Sequence, residues 1–228
     1  MLVYYTIQAI FKLFYFYNFI AIQAILLLRR NMKMFAKIIS LMALAFVCTQ
    51  AGEMLYASKV KSLYKGGDDK VVGRLLPTAK VEVLERKDNK VLLRIKGYTQ
   101  VGSQVALYFA PNRRILNAGF SKNAGVAFKN IETFKESETK QEWELASVDL
   151  WSDDKDLVQS VEPLFKEAQE LFANCSICHA LHPPKEFSAN AWPSVVKSMK
   201  SRVGYDSNQE YLVSQYLQKN AKDMPKEK

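Results

Sequence analysis

One pentapeptide, Cys175-Ser176-Ile177-Cys178-His179, limits what this chain can fold around. In a C-x-x-C-H the thiols stand at i and i+3, spaced to form thioether bonds with the two vinyl groups of a haem. The adjacent imidazole then meets the iron as proximal ligand. A covalent tether retains the cofactor in a domain too small to bury a haem by packing alone. A structural zinc site needs four ligands, and beyond the motif the sequence offers only Cys48 and His182 as further thiol or imidazole groups. A redox dithiol of the thioredoxin kind follows a strand in a βαβ unit, whereas the residues before Cys175 have helical spacing. The motif therefore predicts one haem c, covalently bound by Cys175 and Cys178, with His179 on the iron.

The net charge of +9 would suit a nucleic-acid partner if it were spread over the folded body. It is not. Residues 1–51 hold five basic residues and no acid, leaving +4 for the remainder, so a nucleic-acid partner is not expected.

That segment reads as a leader. Met32 to Lys37 is a short basic region, and Ile38 to Val47 is an apolar run of signal-peptide length. Thr49-Gln50-Ala51 is a small-residue cleavage site before Gly52. The apolar run is short for a membrane span. Cys48, preceded by the bulky Phe46 and Val47, makes a poor lipoprotein site and leaves with the leader, so that Cys175 and Cys178 are the remaining thiols. A second apolar block at residues 1–30 ends in Arg29-Arg30. It reads as leader translated from an early start, with Met32 or Met34 beginning the functional chain; its retention would instead anchor the protein in a membrane. Either way the body is expected in the periplasm, where haem c is attached.

After the leader the expected fold class is α+β: a small β-barrel domain over residues 52–130, an acidic linker over 131–160, and a small all-α monohaem cytochrome c domain over 161–228. Lys80 to Arg86 and Lys90 to Lys96 alternate about an Asp88-Asn89 turn and predict a hairpin with Val91, Leu93 and Ile95 on one face. Gly66 to Asp69 marks an earlier turn, and Val105 to Ala110 a further strand closed by Pro111-Asn112. Leu55 to Ser58, followed by Leu75 to Val83, resembles bacterial barrels of the Src-homology-3-like type. Between residues 58 and 130 there are 15 Lys and Arg against 5 Asp and Glu, and between 131 and 172 the counts are 4 and 12. The acidic run reads as a solvated linker and helix start, with a neighbour for the basic barrel, or a docking edge for a basic partner, as the alternative.

Glu162-Pro163 opens a helix that carries Leu164, Ala168, Leu171 and Phe172 toward Cys175. Asn190 is placed to cap a helix over Ala191 to Arg202 that presents Trp192, Val195, Val196 and Met199 and ends at Gly204. Ser207 to Glu210 forms a capping box for a last helix with Leu212, Val213, Tyr216 and Leu217 inward. For the sixth iron position, His182 follows the proximal ligand too closely to reach the opposite face and reads as a surface or propionate-contacting group. Met199, on a helix expected to cover the haem, is the candidate distal ligand. Met224, in a Met-Pro pair of the polar tail, is the alternative, and an open site the third possibility. Methionine would raise the reduction potential relative to a second histidine.

Together with the β-rich segment and the haem motif, Phe187-Ser188-Ala189-Asn190-Ala191-Trp192-Pro193 and Tyr216 to Asp223 resemble the C-terminal monohaem part of the cytochromes that serve trimethylamine N-oxide and dimethyl sulfoxide reductases, over roughly residues 54–223. That resemblance implies an electron carrier, not an enzyme, partnered with a periplasmic molybdopterin reductase. Longer members of that family add a membrane-anchored tetrahaem module. This sequence has a single C-x-x-C-H, so the resemblance implies an upstream quinol-oxidising donor. The rival functions are a haem sensor or ligand-binding haem protein, and a β-domain adaptor that binds the reductase or its precursor.

Overall fold

The alternating segment around Asp88-Asn89 folds as its pattern dictates. In the computed structural model, which describes residues 52–66, 70–177 and 180–224, β4 (Lys80–Lys87) and β5 (Lys90–Gln100) pair across that two-residue turn. Asp88 takes φ 54°, a left-handed conformation that a short polar side chain tolerates. Val91, Leu93 and Ile95 are fully buried on the inner face. The expected leader, the tip of the earlier turn (67–69), and Cys178 and His179 lie outside the described residues.

Around this hairpin the chain adds β1 (Glu53–Ala57), β2 (Lys61–Tyr64), β3 (Val71–Leu75), β6 (Ala106–Ala110) and β7 (Arg113–Phe120), then β8 (Lys129–Lys135), β9 (Glu142–Asp153) and β10 (Leu157–Val158). All ladders are antiparallel, in the order β10-β1-β4-β5-β6-β7-β3-β2-β9-β8, and β9 also pairs with β5 from Lys90 to Gln100. β3 and β7 run close enough that a Cβ on Gly73 would lie 2.6 Å from the Gly119 carbonyl oxygen, so glycine is required there. Leu63, Leu75, Val81, Leu107 and Ala118 join the hairpin residues in the sheet's core.

Three helices follow: α1 (Glu162–Ala173), continued by a 3-10 turn at Asn174–Ile177, α2 (Trp192–Val203) and α3 (Ser207–Lys219). Pro163 stands in the first turn of α1, where a missing N–H removes no helical bond. Gly204, at φ 72°, ends α2 by taking the left-handed cap conformation.

Several expectations need correction. An Src-homology-3-like barrel followed by a separate small all-α cytochrome domain does not describe this chain. A ten-stranded sheet dominates it, and residues 52–228 form one unit. The helices do not make a core of their own. Ile115 of β7 is buried among Leu164, Phe172, Trp192 and Leu217, with Tyr56 of β1 and Val158 of β10 packed alongside. The stretch 131–160, expected as a linker, carries most of β8 and all of β9 and β10. Its carboxylates face basic residues of the sheet, as in the Asp149–Arg94 pair at 2.8 Å and the Asp153–Lys61 pair at 2.6 Å. The capping box of α3 sits one residue early: Asp206 accepts from the Gln209 N–H at 2.8 Å and the Gln209 side chain accepts from the Asp206 N–H. α2 begins after Ala191 without a side-chain cap, because Asn190 is engaged elsewhere. Among the described residues no helix is long and apolar enough to cross a membrane.

Candidate haem site

α1 delivers the chain to the attachment motif with Leu164, Ala168 and Phe172 buried along one side. Its 3-10 continuation then divides the motif's side chains. Cys175 turns inward, 9 % exposed, while Ile177 stands 80 % exposed. Ser176 closes the turn by donating its hydroxyl to the Ala173 carbonyl at 2.7 Å.

Cys175 opens onto a cavity of about 180 Å³. Phe172, Trp192, Val195, Val196 and Val213 supply its apolar wall, with Leu181, His182, Met199 and Tyr205 completing the lining. The lining is the apolar kind that suits a macrocycle. The thiol of Cys175 and the thioether of Met199 therefore share one enclosure. Met224 lines a different groove, beside Tyr56, Lys80, Phe165 and Lys219. By their chemistry the residues present fit a haem: a buried thiol, an apolar wall and a thioether lining the same space.

The wall is held rigidly. Trp192 is fully buried, and its indole N–H donates to the Pro184 carbonyl at 2.9 Å. Phe172 and Phe187 meet its ring edge-on at centroid distances of 6.0 and 5.0 Å. Each such pair contributes about 0.5–1.5 kcal/mol beyond its buried area. Tyr205, directly after the helix-ending glycine, donates its hydroxyl to the Leu171 carbonyl at 2.6 Å and lies 3.9 Å from Cys175 Sγ. Burial, and secondarily Cys175, push its ionisation above the ordinary tyrosine range. His182 hydrogen-bonds Glu186 at 2.9 Å through Nδ1 and contacts the Phe187 ring, at the cavity's edge.

Gln215 and Gln218, to which sequence reasoning assigned no role, and Asn190, expected as a helix cap, fix the cavity to the sheet. The Gln218 amide donates to the carbonyls of Arg114 (3.1 Å) and Ala189 (2.9 Å), and that of Gln215 to Leu116 (2.8 Å). Asn190 accepts the Arg114 N–H at 2.6 Å and donates to the Asn112 carbonyl at 3.0 Å. The segments around Asn190-Ala191-Trp192 and Tyr216-Leu217-Gln218 are thus the joint between haem cavity and β7. The signal available in sequence was a pair of glutamines on the apolar side of α3, where a polar side chain must find a partner. Tyr205 was missed because nothing local links it to a thiol 30 residues earlier.

Comparison with known proteins follows the same division. A family model described as TorC third cytochrome c domain matches residues 49–157, and one described as Dihaem cytochrome c matches residues 171–228. The cytochrome c-type protein TorC of Escherichia coli K12 is 30% identical over 176 residues, covering 76% of this chain and 45% of that protein. The cytochrome c-type protein TorY of Haemophilus influenzae is 27% identical over 155 residues, covering 68% and 42%. The chain spans less than half the length of these curated relatives. No solved structure gives a significant match. The sheet is thus similar to the third cytochrome c domain of TorC, and the helical part to dihaem cytochromes c.

Proposed function

We propose that the chain is a periplasmic one-electron carrier. It holds one haem c through Cys175 and Cys178, with His179 as proximal and Met199 as distal iron ligand. It passes electrons from an upstream quinol-oxidising donor to a molybdopterin reductase of the trimethylamine N-oxide/dimethyl sulfoxide type. The observation that carries this reading is that Cys175 and Met199 line one apolar cavity directly beside the C-x-x-C-H. The homology to TorC/TorY cytochromes supports electron transfer in place of an enzymatic reaction. A single haem is favoured by the single C-x-x-C-H in the sequence, although the model matching residues 171–228 is that of a dihaem cytochrome.

Bound haem would supply the one-electron iron couple, whose potential the axial ligands and burial set. The chain's own residues do the rest. Phe172, Trp192, Val196 and Val213 exclude water from the cavity, Cys175 and Cys178 fix the cofactor covalently, and the Tyr205 hydroxyl holds the end of α1 over the motif. We place the division between the β-rich and haem-binding parts in the short connection between Val158 and Glu162, and export in the segment before Gly52.

The reading is tested by mixing the reduced, haem-loaded protein with the periplasmic reductase and its oxidised substrate. Haem oxidation that requires both reductase and substrate is expected. A haem that binds carbon monoxide readily and is not oxidised by the reductase would replace the carrier with a sensor.

A further inference from the structure

Three of the five arginines of the sheet, Arg86, Arg94 and Arg113, meet an acid inside the molecule. β9 and the turn after it bring Asp149 to Arg94, Asp153 to Lys61, Asp154 to Arg86 and Asp156 to Lys59. Arg113 of β7 holds both Glu138, at 3.1 Å, and Asp223, at 2.9 Å. The other two arginines stand on β3 and β7. Arg74 of β3 and Arg114 of β7 are exposed, and among the described residues neither guanidinium has an ion pair or hydrogen bond.

The fold brings these two free forks to one groove of about 640 Å³ lined by residues of β3, β6 and β7 and by Tyr211 of α3. Tyr108 and Tyr211 stand beside them, Val105 and Leu116 supply apolar floor, and no Asp or Glu lines it. Guanidinium forks match carboxylates in a bidentate fashion, and arginine and tyrosine over apolar surface are the residues that anchor protein interfaces. Two uncompensated cations in a groove without acids call for negative charge from outside. The groove also lies close to the haem cavity. Tyr211 lines the one and Val213 the other, so a single helix, about 10 Å across, separates them.

We propose that the Arg74/Arg114 groove docks an acidic segment of the partner reductase, an inference that rests on the electron-carrier reading above. Carboxylates of that segment engage the two guanidinium groups, and its apolar side chains cover Val105 and Leu116. Docking there holds the partner one helix away from the haem cavity.

The test uses the haem-loaded full chain with three sequences: wild type, R74Q/R114Q, and R86Q as a control whose arginine is already paired with Glu53 and Asp154. Binding of the reductase and kcat/KM for electron delivery to it are measured at low and near-physiological salt. The expected result is a loss of roughly tenfold or more in binding and kcat/KM for R74Q/R114Q at low salt, with a flattened salt dependence and an unchanged haem spectrum. R86Q should match wild type. If wild type delivers electrons and R74Q/R114Q does so equally, the groove proposal fails while the carrier stands. If wild type binds the reductase, the double variant does not, and neither transfers electrons, the groove stands and the carrier reading fails. If wild type neither binds nor transfers, or binds only vesicles of anionic phospholipid, the proposal is overturned.

Discussion

Tyr205 Oη lies 3.9 Å from Cys175 Sγ while donating a hydrogen bond to the Leu171 carbonyl, so one hydroxyl both closes the end of α1 and stands beside the Cys175 sulfur. Burial is the main cause of its raised ionisation. A tyrosine whose folded-state proton is held more tightly than in the unfolded chain stabilises the protein fully below about pH 10 and loses that contribution as pH rises toward its folded pKa. Alkaline unfolding of wild type should therefore begin above that pH, accompanied by the ultraviolet change of tyrosinate. Tyr205→Phe should remove that late-titrating tyrosine and destabilise the protein by about 1–3 kcal/mol, because the Leu171 carbonyl loses its partner. A denaturant titration unchanged by the substitution would contradict this role.

Gln218 joins two parts of the chain through a single amide. Gln218→Leu keeps the side chain's bulk but leaves the Arg114 and Ala189 carbonyls without their donor, an expected loss of about 1–3 kcal/mol. The sheet and helices share the core around Ile115, so both should melt together at a lower temperature. Circular dichroism and haem absorbance followed in one thermal scan decide this. Two separate transitions in wild type would show that the joint does not couple the parts.

The β8–β9 turn offers a titration test. Glu136 accepts backbone N–H bonds from Glu138 (2.8 Å) and Thr139 (2.7 Å), which together hold its carboxyl down to about 2. A depressed carboxylate contributes stability that is present above about pH 4.5 and is lost as pH falls through its folded pKa. Carbon-detected NMR should find Glu136 still ionised at pH 3, ~1.3 below the ordinary glutamate pKa, where most carboxylates have taken up a proton. A midpoint near 4.5 would mean that the turn does not hold.

Sequence alone exposed the β4–β5 hairpin and the three helices, because their signals are local: period-two alternation around a two-residue turn, and helical spacing closed by Pro163 and Gly204. In sequence β9 reads as acidic linker instead of strand. Val148, Leu150 and Ser152 alternate inward, yet Asp149 and Asp153 between them dominate the composition, and their meaning depends on Arg94 and Lys61, 55 and 92 residues away. The capping box was ambiguous for a simpler reason. Ser207-x-x-Glu210 and Asp206-x-x-Gln209 both satisfy the pattern, and only the extended backbone of Asp206 decides between them. Asn190 and Gln218 answer to backbone atoms more than 70 residues distant, which no local pattern can announce. At the site, the candidate pair Cys175 and Met199 was legible, whereas the cavity that holds both emerges only from packing α1, α2 and α3 together.

The distal ligand has a spectroscopic mark. If Met199 sulfur binds the ferric iron, the oxidised protein shows the weak near-infrared charge-transfer band of His/Met haem. Met199→Ala should abolish that band and lower the reduction potential while leaving haem attached. Met224→Ala should change neither, since Met224 faces the groove of Lys80 and Lys219. Loss of the band in Met224→Ala alone would reverse the assignment.

Intact mass under denaturing conditions tests the central claim most directly, using protein produced with the machinery for haem c attachment. Wild type should carry the mass of one haem that survives unfolding and organic solvent, and the Cys175→Ala/Cys178→Ala chain should show the bare polypeptide. A wild-type mass without haem, or a double variant that retains it, would contradict covalent attachment at this motif and with it the electron-carrier account.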